Sequence, residues 1–574
     1  MRRFLPFLDW LPKYNKGLFG KDLLAGMTVG IILIPQGMAY AMIAGLPPVY
    51  GLYASLLPVL LYAFLGTSRQ ISVGPVAMDS LLVAAGLGTL AITGVENYIL
   101  MALFLSFMVG AFQLLFGFLR MGFLVNFMSK PVISGFTSAA AVIIMFSQLK
   151  YLLGADIINS SKFHLLVINA FQHISETNPY DFAIGFFGIL IIISFKNWLK
   201  RFPAILLVVV LSTLVVYFFN LEIYDVQVVG AVPAGLPSFE IHNFSMEKVR
   251  EIWPIALTLA LVGYLEAISI GRSFEEKNKI ETIDPNQELI ALGTSNIVGS
   301  FFQSYPVTAS FSRSAINDGA GAKSTVASIV SVGMVVLTLL FLTPLFYYLP
   351  KAALASIIMV SVFGLIDVSY AKRLWEQGKD EFLVLVVTFL ITLGLGIVDG
   401  ILIGVLMSLL LMVYRTSKPH FAILGNIKNS DYYKNVDRFG EEVEVRPDLL
   451  IVRFDSQLYF GNSAYFKSQL FKYIKLKGPS LKAVVLNAEA INYIDSTASN
   501  MLIQVIEEIH QRDIQFYIAG AIGPTRDIIF RSGIINCLNK KYLFVKIKEA
   551  VVYYDDPNNV PLLRERVAYQ NLSN

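Results

Sequence analysis

Residues 70–75 read Gln70-Ile71-Ser72-Val73-Gly74-Pro75, and residues 303–313 read Gln303-Ser304-Tyr305-Pro306-Val307-Thr308-Ala309-Ser310-Phe311-Ser312-Arg313. Each is a polar, extended run that feeds a helix. Each also interrupts a chain that is otherwise apolar on both sides. Lipid tolerates non-helical backbone only where protein or water covers it. Corresponding interruptions in two halves of a membrane chain point to a binding site at the bilayer midplane. Two helix N-termini meeting there present unpaired N–H groups and about half a positive charge each. Such a meeting point attracts an anion without any obligatory cationic side chain. Taken singly, either run reads as an ordinary loop; the paired placement favours the site.

The surrounding composition supports lipid. Of 574 residues, 55% are hydrophobic and 15% charged, against about one quarter charged in soluble chains. Mean hydropathy is +0.63. From Leu23 to Ser68 there is no Asp, Glu, Lys or Arg. A spanning helix needs about 20 apolar residues, so this stretch holds two spans that turn at Leu46-Pro47-Pro48. Charge-poor segments recur near 22–45, 48–66, 75–93, 97–119, 131–149, 180–198, 202–220, 251–271, 286–302, 310–321, 325–348, 351–368, 381–398 and 400–414, about fourteen in all. With seven per half, the two polar runs fall in the third segment of each. Asp9, Pro12, Lys13 and Lys16 interrupt the first twenty residues, which read as a surface helix on the cytoplasmic side and not as a cleaved leader.

Lys and Arg in short loops set orientation. One side collects Arg69, Arg120, Lys130, Lys196, Lys200, Arg201, Arg272, Lys323, Lys372, Arg373 and Arg415, among others. The other receives Lys150, Lys162, Lys248, Arg250 and Lys351. That bias puts both termini in the cytoplasm. After Tyr414 the texture changes. Strands are expected at Leu449–Phe454, Lys482–Asn487 and Gln515–Gly520, with amphipathic helices near 462–475, 496–511 and 524–533. Alternating strands and helices make a small α/β domain. The expected divisions are a cytoplasmic segment 1–21, a membrane domain 22–415, a linker 416–445, the α/β domain 446–560 and a tail 561–574. Removal from about 446 onward is expected to leave the membrane half folded.

Several residues stand out in the apolar segments. Arg313 begins the tenth segment among Ser310, Ser312 and Ser314. Membrane-embedded arginines are costly and usually functional, so Arg313 either balances a bound anion or snorkels from a helix end. Glu266 is the only charge between Glu251 and Arg272. A carboxyl there serves as a proton carrier or as a structural partner of Arg313. A sodium site wants several oxygens, by analogy with other hard cations, and position 270, one turn on, is Ile; this favours the proton. Asp79 is either a helix-dipole partner or a second proton group. Gln36 follows Pro35, which frees a backbone carbonyl, and Tyr40 lies one turn further; each reads as helix packing or as a substrate contact. The single Cys537 rules out an intrachain disulfide framework, the net charge of +4 gives no footing for nucleic acid, and no catalytic or phosphate-loop motif appears. Histidines 164, 173 and 242 fall in expected loops without ligand spacing, so no enzyme, cofactor or metal is expected.

The run Pro48-Val49-Tyr50-Gly51-Leu52-Tyr53-Ala54-Ser55, preceded by Pro35-Gln36-Gly37-Met38-Ala39-Tyr40-Ala41 and Ala44-Gly45-Leu46-Pro47, resembles the diagnostic motif of the sulfate permease (SulP) family of anion transporters, here of bacterial type. Ser310-Phe311-Ser312-Arg313-Ser314 is similar to that family's tenth-helix motif. The resemblance covers nearly the whole chain. It implies an α-helical membrane protein with a seven-plus-seven inverted repeat of the uracil-permease type, divided into a mobile core (segments one to four and eight to eleven) and a gate. It implies that Gln36, Val76, Ala77, Ser312 and Arg313 surround the anion and that Glu266 is the eighth-helix acid. Val76 replaces an aromatic found in some members. Members coupled to sodium carry Asp and a hydroxyl where this chain has Glu266 and Ile270, so sodium is not carried over. The tail resembles STAS domains through Ile491-Asn492-Tyr493-Ile494-Asp495-Ser496-Thr497-Ala498. In related antagonists a hydroxyl after the Asp is phosphorylated, which makes Ser496 and Thr497 regulatory candidates, with a helix N-cap as the plainer role.

The expected function is secondary active transport of a small anion, sulfate first and bicarbonate or dicarboxylate next. It is expected to be proton-coupled, to work by an elevator-like shift of the core, and to act in the plasma membrane as a homodimer among lipid. A passive channel or an exchanger of the same fold is the alternative. A signalling protein is disfavoured because Gln36, Glu266, Arg313 and both half-helices are present. A nucleobase permease would place acids where this chain has serines and an arginine.

Overall fold

The computed structural model describes residues 5–90, 92–123, 129–157, 163–198, 204–241, 246–278 and 282–558. The expected tail 561–574, His242 and the charges at Lys162, Lys200 and Arg201 lie outside them. The chain divides into Met1–Ser408 and Leu409–Asn574.

Every segment expected to cross the membrane holds a helix. The main elements of this unit are, in order, α1 (Lys16–Ile43), α2 and α3 (Val49–Tyr53 and Leu57–Leu65), a two-residue strand β1 (Val73–Gly74), α4 (Ala77–Leu87), α5 (Val95–Phe118), α6 (Lys130–Ser147), α7 (Phe163–Gln172), α8 (Pro179–Trp198), α9 (Ala204–Phe219), α10 (Met246–Asn278), α11 (Pro285–Ser300), β2 (Thr308–Ala309), α12 (Phe311–Gly319), α13 (Val326–Leu337), α14 (Lys351–Phe363), α15 (Val368–Gln377), α16 (Lys379–Leu395) and α17 (Ile397–Ser417), of which α7 and α15 lie outside the expected segments. Among the described residues, seven helices are individually long and apolar enough to span. The N-terminal surface helix is a single turn, Phe7–Trp10. The first long helix starts earlier than expected, at Lys16, because the Asn15 side chain accepts from Leu18 N and caps it. His164 sits within α7, not in a loop.

The packing repeats about a two-fold. Helix α1 packs on α13 as α10 packs on α5; α3 packs on α13 as α11 packs on α5; α4 packs on α10 as α12 packs on α1. In a second group α6 packs on α16 as α8 packs on α14. The first group is α1–α5 with α10–α13, and it meets the second where α1 touches α14 and α9 and where α4 touches α6. Small residues allow the close crossings, as expected between membrane helices. A Cβ on Gly110 would lie 2.6 Å from the Gly293 carbonyl, and one on Gly293 2.9 Å from the Gly110 carbonyl. Hence α5 and α11 touch backbone to backbone.

The second unit carries a mixed sheet. Its strands are β3 (Phe421–Ile427), β4 (Tyr433–Asn435, followed by the single turn α18, Val436–Phe439), β5 (Val443–Glu444), β6 (Leu449–Phe454), β7 (Ala483–Asn487), β8 (Gln515–Ala519) and β9 (Leu543–Phe544). The order is β4-β3-β6-β7-β8-β9, with β5 also on β3. Strands β6 to β9 run parallel and β3 runs antiparallel to β6. Leu450, Val452, Val484, Leu486, Phe516 and Ile518 pack under helices α19 (Ser463–Lys477), α20 (Ser496–His510) and α21 (Gly523–Arg531). Leu449, Ile451, Val485 and Tyr517 face α22 (Ile547–Asp555). Both faces are covered, so these strands read as continuous apolar runs. The Arg446 fork grips both Asp448 oxygens at 3.1 and 2.7 Å and reaches Asp555 at 2.7 Å. That cation holds the Asp448 carboxyl down at about 2.

The stretch expected as a linker, 416–445, supplies β3, β4 and β5. Their polar, turn-rich surroundings hide them: β4 and β5 are short edge pieces, and β3 divides a short apolar run between two faces, Phe421 and Ile423 toward α19–α21 and Ala422 and Leu424 toward α22. Cutting at 446 therefore removes β6 and strips β3 of the pairs Ala422–Arg453 and Leu424–Ile451. A chain ended at Lys418 is expected to elute as a single species in size-exclusion chromatography, whereas one ended at 445 should aggregate through the bared strand. Identical profiles would contradict this boundary.

Candidate functional site

The two polar runs meet. Strand β1 pairs antiparallel with β2, Val73 opposite Ala309 and Gly74 opposite Thr308. Ser310 N donates to the Ser72 carbonyl at 2.9 Å, Ser72 N to Ser314 Oγ at 2.9 Å, and Asn317 Nδ2 to the Gln70 carbonyl at 3.1 Å. Helices α4 and α12 start from opposite ends of this ribbon. Their first N–H groups are the orphans that every helix start leaves. Val76 occupies the N-cap of α4 without a side-chain bond, and Ser310 occupies that of α12, its Oγ accepting from Arg313 N. Phe311 and Ser312 are exposed, while Ala77, Ser310 and Arg313 are buried.

Arg313 is fully buried, at 0% exposure. Its Nη1 donates to the Pro75 carbonyl at 2.8 Å. Its Nε and Nη2 have no partner, and no carboxylate among the described residues forms an ion pair with it. The expectation of a Glu266–Arg313 pair is thus not met. Gly74 makes room for the guanidinium: a Cβ there would lie 3.2 Å from Arg313 Nη2 and 3.5 Å from Leu33 Cδ1, at φ +146. Tyr40 and Tyr305 both lie within electrostatic reach of Arg313. Gln36, one turn before Tyr40, is 2% exposed with Oε1 unpartnered.

Glu266 and Asp79 approach the ribbon from the other flank. Thr308 Oγ1 donates to the Gly263 carbonyl of α10 at 2.7 Å. Asp79 Oδ2 lies 3.3 Å from where a Cβ on Gly263 would stand. Glu266 is one turn along the same helix. Glu266 Oε2 and Asp79 Oδ1 are buried without partners, and a charge on one carboxyl is felt by the other. The structure therefore gathers Arg313, Ser310, Val76, Ala77, Tyr40, Asp79 and Glu266 around one ribbon, with Gln36 on the adjoining helix. Ser496 and Thr497 lie in the other unit, exposed at the start of α20, where Asp495 is the N-cap and accepts from Ala498 N at 2.8 Å.

Sequence reasoning passed over the braces. Asn296 of α11 acts as a third strand: its Oδ1 accepts from Val307 N at 2.9 Å and its Nδ2 donates to the Val307 carbonyl at 3.1 Å and to Gln113 Oε1 at 3.0 Å. Tyr305 Oη and Ser80 Oγ sit 3.0 Å apart. The available signal was two amide side chains, Gln113 and Asn296, inside apolar helices, where polar groups need a partner.

Residues 19–388 match the sulfate permease family and residues 442–550 the STAS domain. Sulfate transporter 4.1, chloroplastic, of Arabidopsis thaliana is 37% identical over 567 residues, spanning 95% of this chain and 82% of that protein. High affinity sulfate transporter 2 of Stylosanthes hamata is 32% identical over 584 residues, spanning 96% and 87%. Both are plant proteins; the bacterial type suggested by the motifs is not what these relatives represent. The murine solute carrier 26 family member A9 anion transporter, in its inward-facing state, superposes with a TM-score of 0.89 at 28% identity, over 96% of this chain and 94% of that one. The transmembrane domain of a cyanobacterium bicarbonate transporter shares the fold alone, with a TM-score of 0.59 at 21% identity, over 69% of this chain and 98% of that one. With its family match covering most of the membrane unit and its relatives aligned nearly end to end, this integral membrane chain belongs to the sulfate permease family and ends in a STAS domain.

Proposed function

We propose that the chain is a proton-coupled sulfate transporter in which the anion binds between the N-termini of α4 and α12. The carrying observation is the Arg313 guanidinium, wholly buried with Nε and Nη2 unpartnered and, among the described residues, no carboxylate paired to it. A buried charge left unpaired is strongly unfavourable, and a sulfate oxygen would accept from the open donors. Backbone N–H groups at Ala77 and Ser312 would hold other oxygens, with Gln36, Tyr40, Val76 and Ser310 lining the site. Glu266, with Asp79 beside it, carries the coupling proton. Transport proceeds as the core (α1–α5 and α10–α13) shifts against the remaining helices, in a homodimer in the plasma membrane with both termini cytoplasmic. Phosphorylation of Ser496 or Thr497 tunes the tail. The relatives named for sulfate support the substrate.

Uptake of labelled sulfate, bicarbonate and fumarate into proteoliposomes, with and without an inward proton gradient, tests this reading. Sulfate accumulation that requires the gradient is the expected result. Non-saturating uptake without it would replace the transporter by a channel. Gly74→Ala is expected to displace the guanidinium and to add ~1–3 kcal/mol of backbone strain, cutting sulfate affinity about tenfold or more in a calorimetric titration. Unchanged affinity would detach Arg313 from the site.

A further inference from the structure

Two sites are coupled only through an element whose arrangement both of them bias. The two flanks of the ribbon meet in one fully buried residue, Thr308. Its backbone pairs with Gly74, against which the Arg313 guanidinium packs: a Cβ there would lie 3.2 Å from Nη2. Two residues on, Ser310 caps α12. The Thr308 side chain reaches α10 instead, where its Oγ1 donates to the Gly263 carbonyl at 2.7 Å. Gly263 stands three residues before Glu266, so the two share a face of that helix. A Cβ on Gly263 would meet Thr308 Oγ1 at 3.2 Å and Asp79 Oδ2 at 3.3 Å. The missing side chain lets the hydroxyl and the acid reach the same point of α10.

Charge reaches each flank separately. Glu266 feels Asp79, and Arg313 feels Tyr40 and Tyr305. Tyr305 also faces Asp79, with its hydroxyl 3.0 Å from Ser80 Oγ of α4, but a phenol is uncharged near neutral pH and passes no charge between them. A further brace runs from Val307 through Asn296 and Gln113 to the Ala260 carbonyl, more distant from Glu266 along α10. Thr308 has a single hydroxyl proton to give. It now goes to Gly263, while Asp79 Oδ1 and Glu266 Oε2 stand unpartnered. An ionised carboxylate is a stronger acceptor than a carbonyl. Ionising the acid pair therefore competes for the bond that ties the anion-side strand to α10.

We propose that Thr308 is the positioning residue that links the anion site to the proton site, its hydroxyl turning between the Gly263 carbonyl and the Asp79 carboxyl. The proposal rests on Glu266 as the proton carrier. Thr308→Val keeps the shape and removes the hydroxyl, and Thr308→Ser keeps the hydroxyl. Ser80→Ala frees Tyr305 from α4 and leaves the bond to α10 intact. Each is reconstituted beside wild type, and sulfate accumulation is compared with and without an inward proton gradient. Calorimetry reads sulfate affinity at two pH values. In Thr308→Val the gain from the gradient should fall about threefold or more. The pH dependence of affinity should flatten with it, while exchange of internal for external sulfate persists. Thr308→Ser and Ser80→Ala should stay within about twofold of the wild-type gain. Thermal unfolding checks each variant; should the valine variant not fold, Thr308→Ala must show the loss in its place. A wild type without gradient-driven uptake ends the proton reading and this proposal with it. A coupled wild type beside an equally coupled valine variant overturns the role of Thr308 alone. An equal loss in Thr308→Ser or Ser80→Ala assigns the effect to packing and overturns it too.

Discussion

Arg313→Ala is expected to weaken sulfate binding about 10²- to 10³-fold or more while the protein remains folded. Breaking a buried charge pair by removing one partner costs about 3–5 kcal/mol, which converts to that range of affinity. On the proposed reading the partner is the anion, so the cost falls on binding. The empty protein loses one bond, from Nη1 to the Pro75 carbonyl, and is relieved of an unpaired buried cation. Thermal unfolding without sulfate should shift little, and sulfate should no longer raise it. Arg313→Lys keeps the charge but not the planar fork and should fall between. Wild-type affinity in the alanine variant would remove the guanidinium from the binding role.

Glu266→Gln should uncouple the protein. The substitution keeps the shape and removes the titrating proton. In wild type, one pH unit is worth about 1.36 kcal/mol per proton, so a one-proton symporter concentrates its substrate about tenfold more for each unit of gradient. The variant should show no gain with gradient, while exchange of internal for external sulfate persists. Asp79→Asn separates the pair, since the two carboxyls feel one another and Asp79 borders Gly263 on the same helix. Because the two carboxyls act on one another, the pH profile of uptake should shift there, and an unmoved profile would mean that Asp79 takes no part in the titration. Undiminished accumulation in Glu266→Gln would end its coupling role.

Much of this architecture was legible. The charge-free stretch from Leu23 to Ser68 and the run of charge-poor segments located the helices because lipid demands continuous apolar backbone cover. The extended runs before α4 and α12 announced themselves through Gly74-Pro75 and Pro306, each set among polar residues in an otherwise apolar chain. What the sequence concealed were partners distant along the chain. Nothing local says that Asn296 pairs with Val307, or that Thr308 reaches Gly263. Strand β3 escaped for a related reason: it is held by β6, and its own alternation is too weak to stand out from the polar surroundings.

The starts of α4 and α12 differ in one way that bears on how such a chain arises. Counting from Ala77 and from Phe311, the third residue of one half-helix is Asp79 and that of the other is Arg313. Two identical halves inserted in opposite orientations would meet through the same antiparallel ribbon, each copy facing its own image. They would then carry the same residue, two acids or two arginines, at the two half-helix starts. Joining the halves in one gene lets the two positions diverge to opposite signs. On the proposed reading, one copy then serves the anion and the other the proton, a division that two equal copies could not make.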